Sequence, residues 1–219
     1  ILANVKELDA EFLAQNVFVK EDALMEGAEA FDEDSGLAFK PYTIKKMGNA
    51  RVAVIGQAFP YTTIANPQRF IPDWTFGIKE EEMQELVDTI KEEEKPDAII
   101  VLSHNGYDVD KKMAEVVTGI DFFMGGHTHD GVPEAYPVKN AGGTTYVCNA
   151  GSNGKFLNVL DLDIQNGKIK DFKFTLLPIF SDLVPEDKEM KKYIEDVRAP
   201  YIKDLMRPIA TTDETLFRR

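Results

Sequence analysis

Between Arg51 and Met124 the chain alternates between short apolar runs and helical periodicity, and that alternation leaves few folds open. Arg51-Val52-Ala53-Val54-Ile55-Gly56 reads as a buried strand, entered through a turn at Gly48-Asn49. Ile78 to Glu94 carries Met83, Leu86, Val87 and Ile90 at the spacing of one helix face, and Pro96 stops it. Ala98 to Leu102 is a second apolar strand. A helix follows, capped by Asp108 or Asp110, running through Val117 and closed by Gly119. Ile120 to Met124 is a third strand. Strand–helix–strand–helix–strand favours parallel pairing, so the expected class is α/β.

The chain has three histidines, all placed where the last two strands end. Ser103-His104-Asn105-Gly106 follows one strand and Gly125-Gly126-His127-Thr128-His129-Asp130 the other. In α/β proteins sites gather at such ends. If the second motif is extended, His127 and His129 project to one side, with Thr128 turned away. The glycine pair lets backbone or ligand come close. Imidazole suits zinc, manganese and iron, so His104, His127 and His129 are candidate metal ligands. Unrelated surface-loop histidines are the competing reading.

Composition narrows the class. A chain of 219 residues is enough for one good-sized domain and few for two. A net charge of −13 argues against general nucleic-acid or anionic-membrane binding. The runs Glu80-Glu81-Glu82 and Glu92-Glu93-Glu94 read as solvated helix faces. A single cysteine, Cys148, excludes an internal disulfide and reads as a buried thiol. No stretch approaches the roughly 18 apolar residues of a membrane span. The ends, Ile1-Leu2-Ala3-Asn4-Val5 and Thr215-Leu216-Phe217-Arg218-Arg219, show neither a leader pattern nor capping logic, and read as interior sequence.

The flanks are read more coarsely. Phe12 to Val17 is a strand candidate, Lys20 to Gly36 an acidic surface excursion, and Phe39 to Lys45 a strand broken by Pro41. From Gln57 to Trp74, prolines and aromatics without helical spacing predict a long ordered loop on the histidine rim. It either shapes a substrate pocket or packs the core. Thr144 to Ala150, Val159 to Ile164 and Ile169 to Leu176 are strands without intervening helices, so an antiparallel part is expected, with Asn166-Gly167 as a hairpin turn. Gly151-Ser152-Asn153-Gly154-Lys155 lacks the phosphate-loop pattern and precedes strand, not helix. Asp187 to Leu205 is a helix with Met190, Tyr193, Ile194 and Val197 as its stripe, disturbed at Pro200.

Ser103-His104-Asn105-Gly106 and Gly126-His127-Thr128-His129 resemble the paired histidine motifs of metallophosphoesterases, in their 5′-nucleotidase branch. Further stretches resemble the SoxB-type thiosulfohydrolases: Gly56 to Thr62, Ile64 to Pro67, Pro72 to Trp74, Ser103 to Asp110, Gly126 to Asp130 and Gly154 to Leu157. The resemblance runs from Asn16 to Arg219. It implies a sandwich of two mixed β-sheets flanked by helices, and a site with two divalent metal ions. Manganese is the usual pair, with zinc or iron also compatible with imidazole. His104 and His127 would bind one ion and His129 the other. Asn105 and Asp130 would be catalytic, and Gln57, Tyr61, Asn66 and Trp74 would meet substrate. The family's upstream Asp-x-His, Gly-Asp and Gly-Asn-His motifs are not in this sequence. The resemblance therefore implies the C-terminal half of a catalytic domain over residues 1–182, with a helical connector over 183–219. By itself such a fragment is expected to bind one ion or none and to be inactive.

The implied reaction is hydrolysis by metal-activated water, releasing sulfate from a cysteine S-thiosulfonate. The substrate would ride on a sulfur-carrier protein with a cysteine-bearing C-terminal arm, in the periplasm, and the enzyme would be a monomer binding neither nucleic acid nor membrane. Two alternatives stand beside it: a 5′-nucleotidase or cyclic-nucleotide phosphodiesterase, and a non-catalytic domain that binds a partner.

Overall fold

The structure, a computed structural model, describes residues 2–217. Ile1, Arg218 and Arg219 of the end segments lie outside the described residues. The chain divides into two compact units, Ile1–Pro178 and Ile179–Arg219.

Ten strands and five of the helices belong to the first unit: α1 (Leu2–Glu7), β1 (Val17–Val19), α2 (Glu21–Met25), β2 (Tyr42–Met47), β3 (Ala50–Gln57), α3 (Thr62–Ala65), β4 (Trp74–Phe76), α4 (Glu80–Glu93), β5 (Ala98–Ser103), α5 (Tyr107–Val116), β6 (Phe122–Gly125), β7 (Tyr136–Asn140), β8 (Gly143–Asn149), β9 (Phe156–Gln165) and β10 (Lys168–Pro178). A six-stranded mixed sheet in the order β2-β3-β5-β6-β8-β7 is its centre. β3, β5, β6 and β8 run parallel, and β2 and β7 are antiparallel edges. The α/β class and the two main sheets flanked by helices agree with expectation.

Alternation along the parallel strands sends Ala53, Ile55, Ile99, Val101, Phe123 and Val147 to one face. There they meet Met83, Val87 and Ile90 of α4, and Met113 and Ala114 of α5. The predicted α4 stripe is thus the one that is buried. Each of the valine, isoleucine, methionine and phenylalanine side chains contributes roughly 1.5–3 kcal/mol when fully taken from water. The opposite face meets the β9–β10 hairpin, where Phe172 packs on Phe122 and Tyr146 at centroid distances of 5.0 and 4.5 Å. Beside this contact runs an open groove of about 890 Å³ lined by Val54, Ile100, Leu102, Met124, Leu160 and Leu162. The hairpin turns at Asn166-Gly167, whose φ of 54° and 75° suit a type I′ turn.

Several local expectations are corrected. The strand expected over Phe12 to Val17 is instead Val17–Val19, paired antiparallel with β4. Ahead of it, Gln15 and Asn16 are buried and bonded by their side chains: Asn16 Nδ2 donates to the carbonyls of Ala58 and Gly77, and Oδ1 accepts from the Ala58 amide. Polar anchoring replaces a ladder there. The Gln57–Trp74 stretch holds α3, a 3-10 turn at Gln68–Phe70 and the start of β4. β8, expected in an antiparallel part, is antiparallel to β7, a strand the sequence reading lacks, and pairs parallel with β6 on its other side, which places it in the central sheet. Neither Asp108 nor Asp110 caps α5. Gly106 holds that position, and Asp110 is fully buried.

The second unit contains α6 (Lys188–Arg198) and α7 (Ile202–Leu205). Asp187 caps α6, its Oδ1 accepting from the Met190 amide at 2.7 Å. The break before α7 falls where Pro200 predicts it. Met190, Tyr193, Ile194 and Val197 are all exposed. No helix among the described residues is long and apolar enough to cross a membrane.

Candidate metal and substrate site

Because β3, β5 and β6 are parallel neighbours, their C-terminal ends share one rim: Gln57 is in register with Ser103, and Leu102 with Met124. The His104 amide continues the ladder by donating to the Gln57 carbonyl at 2.9 Å. The next turn of chain after each strand brings three rings together. His104 and His127 lie edge to face with centroids 5.2 Å apart. Phe59, just past β3, stacks on His127 at 3.9 Å and 25°, and also meets Tyr61 at 5.9 Å. Burial, and after it the charges of His127 and His129, hold the His104 imidazole below its ordinary pKa, which favours the neutral form that ligates metal.

The second motif is not extended. His127 and His129 have φ of 76° and 62°, in the left-handed region, so the alternation argument fails there. The contacting pair is His104 with His127. Such backbone costs of order 1–3 kcal/mol per residue and persists where surrounding contacts hold it. Here Thr128 supplies them, its hydroxyl accepting from the Tyr107 amide and donating to Asp130 Oδ2. Asp130 therefore braces the His127–His129 turn.

The glycines of the motif answer to close approach. A β-carbon on Gly126 would lie 3.1 Å from His104 Nδ1, and one on Gly125 only 2.6 Å from Asp110 Oδ2. Beneath the histidines runs a buried polar chain. Gln15 Nε2 donates to Gln57 Oε1 at 2.6 Å, and Gln57 Nε2 donates to Asn105 Oδ1 at 3.1 Å. Asn105 Nδ2 then donates to Asp110 Oδ1 at 3.1 Å, and the Ser103 hydroxyl donates to the same oxygen at 2.5 Å.

The four residues expected to meet substrate, and Asn105, expected to be catalytic, scatter. Gln57 and Asn105 are buried in the polar chain. Tyr61 stands on the rim beside Phe59. Asn66 turns back to the Thr62 carbonyl at 3.2 Å, and Trp74 packs edge-on against Phe39 at 5.0 Å in a second apolar cluster. Sequence reasoning missed Phe59 and Asp110. Phe59 lies within a quoted stretch, but nothing local shows that it reaches His127. Asp110 looked like a helix cap.

Among the described residues no three His, Cys, Asp or Glu side chains gather into a cluster able to hold a metal ion. The donor set fits part of such a centre: two converging imidazoles, with no carboxylate beside them.

No family model matches the chain. It is 34% identical over 168 residues to the trifunctional nucleotide phosphoesterase YfkN of Bacillus subtilis, covering 72% of this chain and 11% of that protein. Among solved structures, the Thermus thermophilus sulfate thiohydrolase SoxB superposes with a TM-score of 0.81 and 28% identity, over 95% of this chain and 35% of that one. A 5′-nucleotidase precursor from Thermus thermophilus gives 0.76 and 27%, over 94% of this chain and 41% of that one. The fold is that of a metallophosphoesterase-type α/β domain. At family level the similarity is to the 5′-nucleotidases, with SoxB as a structural neighbour. The chain spans less than half the length of each of these relatives.

Proposed function

We propose that the chain forms the histidine-bearing part of a dinuclear-metal hydrolase, and that its substrate is a cysteine S-thiosulfonate on a sulfur-carrier protein. Hydrolase chemistry is supported by the nucleotidase and phosphoesterase relatives and by the His104–His127 pair at the rim. The metal ions, manganese by resemblance, would supply a nucleophilic water and offset negative charge on the attacked tetrahedral centre. His104 and His127 would hold one of them, with His129 directed to the second. Asp130 and Thr128 keep the His127 turn in place. The periplasm is the proposed location, in keeping with the description of one neighbour as a precursor.

The observation that supports the thiosulfonate reading is the aromatic pair beside His127, in which Phe59 stacks on the imidazole and Tyr61 meets Phe59. Such a pair would leave room beside His127 for a slender peptide arm rather than a nucleoside. Tyr61 remains on the substrate side. Gln57 and Asn105 act from beneath, and Asn66 and Trp74 shape the loop.

The test uses the protein with its complete site, loaded with manganese, offered an S-thiosulfonated carrier peptide and, separately, AMP. Release of sulfate without phosphate is the expected result. Phosphate without sulfate would overturn the substrate assignment in favour of a nucleotidase, the reading that the curated relatives favour. Neither product would overturn the hydrolase.

A further inference from the structure

Asp110 is fully buried, sits in the first turns of α5, and touches both histidine-bearing loops from below. Towards the first loop, its Oδ1 takes the Ser103 hydroxyl and the Asn105 amide, the two residues that flank His104. The Ser103 oxygen in turn accepts from the Asn105 backbone N–H at 3.1 Å, which closes a small ring around the base of His104. Towards the second loop, Oδ2 has no hydrogen-bond partner and lies 2.6 Å from where a Gly125 β-carbon would stand, two residues before His127. One planar group thus spans the gap between the two loops. The side-chain donors Gln15, Gln57 and Asn105 all point one way along the chain of hydrogen bonds, and only an acceptor can terminate it.

We propose that Asp110 is a positioning residue that sets the spacing of His104 and His127, by tethering the first loop through Ser103 and Asn105 and seating the second through Gly125. This rests on the reading of the two histidines as metal ligands. The carboxylate touches neither ring, and its effect is on where they stand. Groups hydrogen-bonded directly to metal ligands typically change metal affinity 10–100-fold when removed, and a group acting through the ligands' neighbours falls at or below the lower end of that range.

Three histidines make the test tractable, because each ring gives its own side-chain NMR signals. In the 219-residue chain, Asp110→Ala is expected to weaken or abolish the cross-ring nuclear Overhauser effect between His104 and His127, while core signals such as those of Val101 and Phe123 persist. Asp110→Asn keeps an acceptor oxygen and should restore the contact. An unchanged cross-ring effect in a folded Asp110→Ala chain would overturn the proposal. Should that variant fail to fold, Gly125→Ala decides. Its new methyl must displace the carboxylate, so the His104 signals on the other loop should move, and unmoved His104 signals would overturn the proposal. Titration with zinc reports separately on the ligand reading. If zinc shifts neither ring in the unaltered chain, that reading fails while the ring-contact comparison still decides the role of Asp110. Where zinc binds, Asp110→Ala should weaken it by about 10-fold or less and Asp110→Asn by less still.

Discussion

Burial raises the Asp110 carboxyl to about 7, outweighing the Ser103 and Asn105 donors that favour its ionised form. In the unfolded chain an aspartate ionises at about 3.9. Between those values the folded protein holds a proton that the unfolded chain has released. This contribution to stability is therefore complete below about pH 4 and is lost as pH rises towards 7. The full effect is on the order of 4 kcal/mol. Asp110→Asn removes the titration, so denaturant melts at pH 4 and pH 7 should show the unaltered protein losing more stability over that interval than the variant. Parallel losses would contradict the assignment. At this scale the sequence is only half legible. His104 and His127 announce themselves by following apolar runs. The Phe59 stack and the left-handed turn at His127 and His129 arise from tertiary contacts between distant segments, which no local pattern encodes.

The elements were legible where periodicity ran long. α4 and the strands β3, β5 and β6 stand where their apolar spacing puts them, because a helix stripe or strand face facing a core has no alternative partner. The misreadings fall on short pieces. β1 and β4 have three residues each, too few to show alternation, and β7 contains Pro137, which reads as a breaker yet is tolerated on an edge strand. β8 has no helix leading into it and so reads as antiparallel, which holds on its β7 side, while its other side pairs parallel with β6. Packing of the Leu13 segment against β3 supplies a test at this scale. A β-carbon on Gly56 would fall 2.1 Å from the Leu13 carbonyl oxygen, so Gly56→Ala must push the two backbones apart. The expected cost is about 1–3 kcal/mol in thermal or denaturant melts, as for overpacked cores. A melt within ~0.5 kcal/mol of the parent would show that this contact is looser than it looks.

At the scale of the whole molecule, the boundary at Pro178 and Ile179 opens onto a segment through Asp187 that is exposed throughout and has no regular structure beyond turns. Exposed irregular backbone is where proteases cut first. Brief, dilute protease treatment should cleave within residues 179–187 and leave a product spanning the first unit. Initial cleavage inside β9 or β10 would refute the boundary.

The left-handed backbone at His127 and His129 places shape and chemistry in opposition. Glycine or asparagine would sit at either position with less strain than histidine does. A population selected only for a sturdy fold would be expected to let these imidazoles go and gain stability by doing so. Exchanging either histidine for glycine should therefore raise stability while removing the imidazole, so a gain in melting temperature paired with a loss of zinc binding would separate what the turn costs from what the ring does.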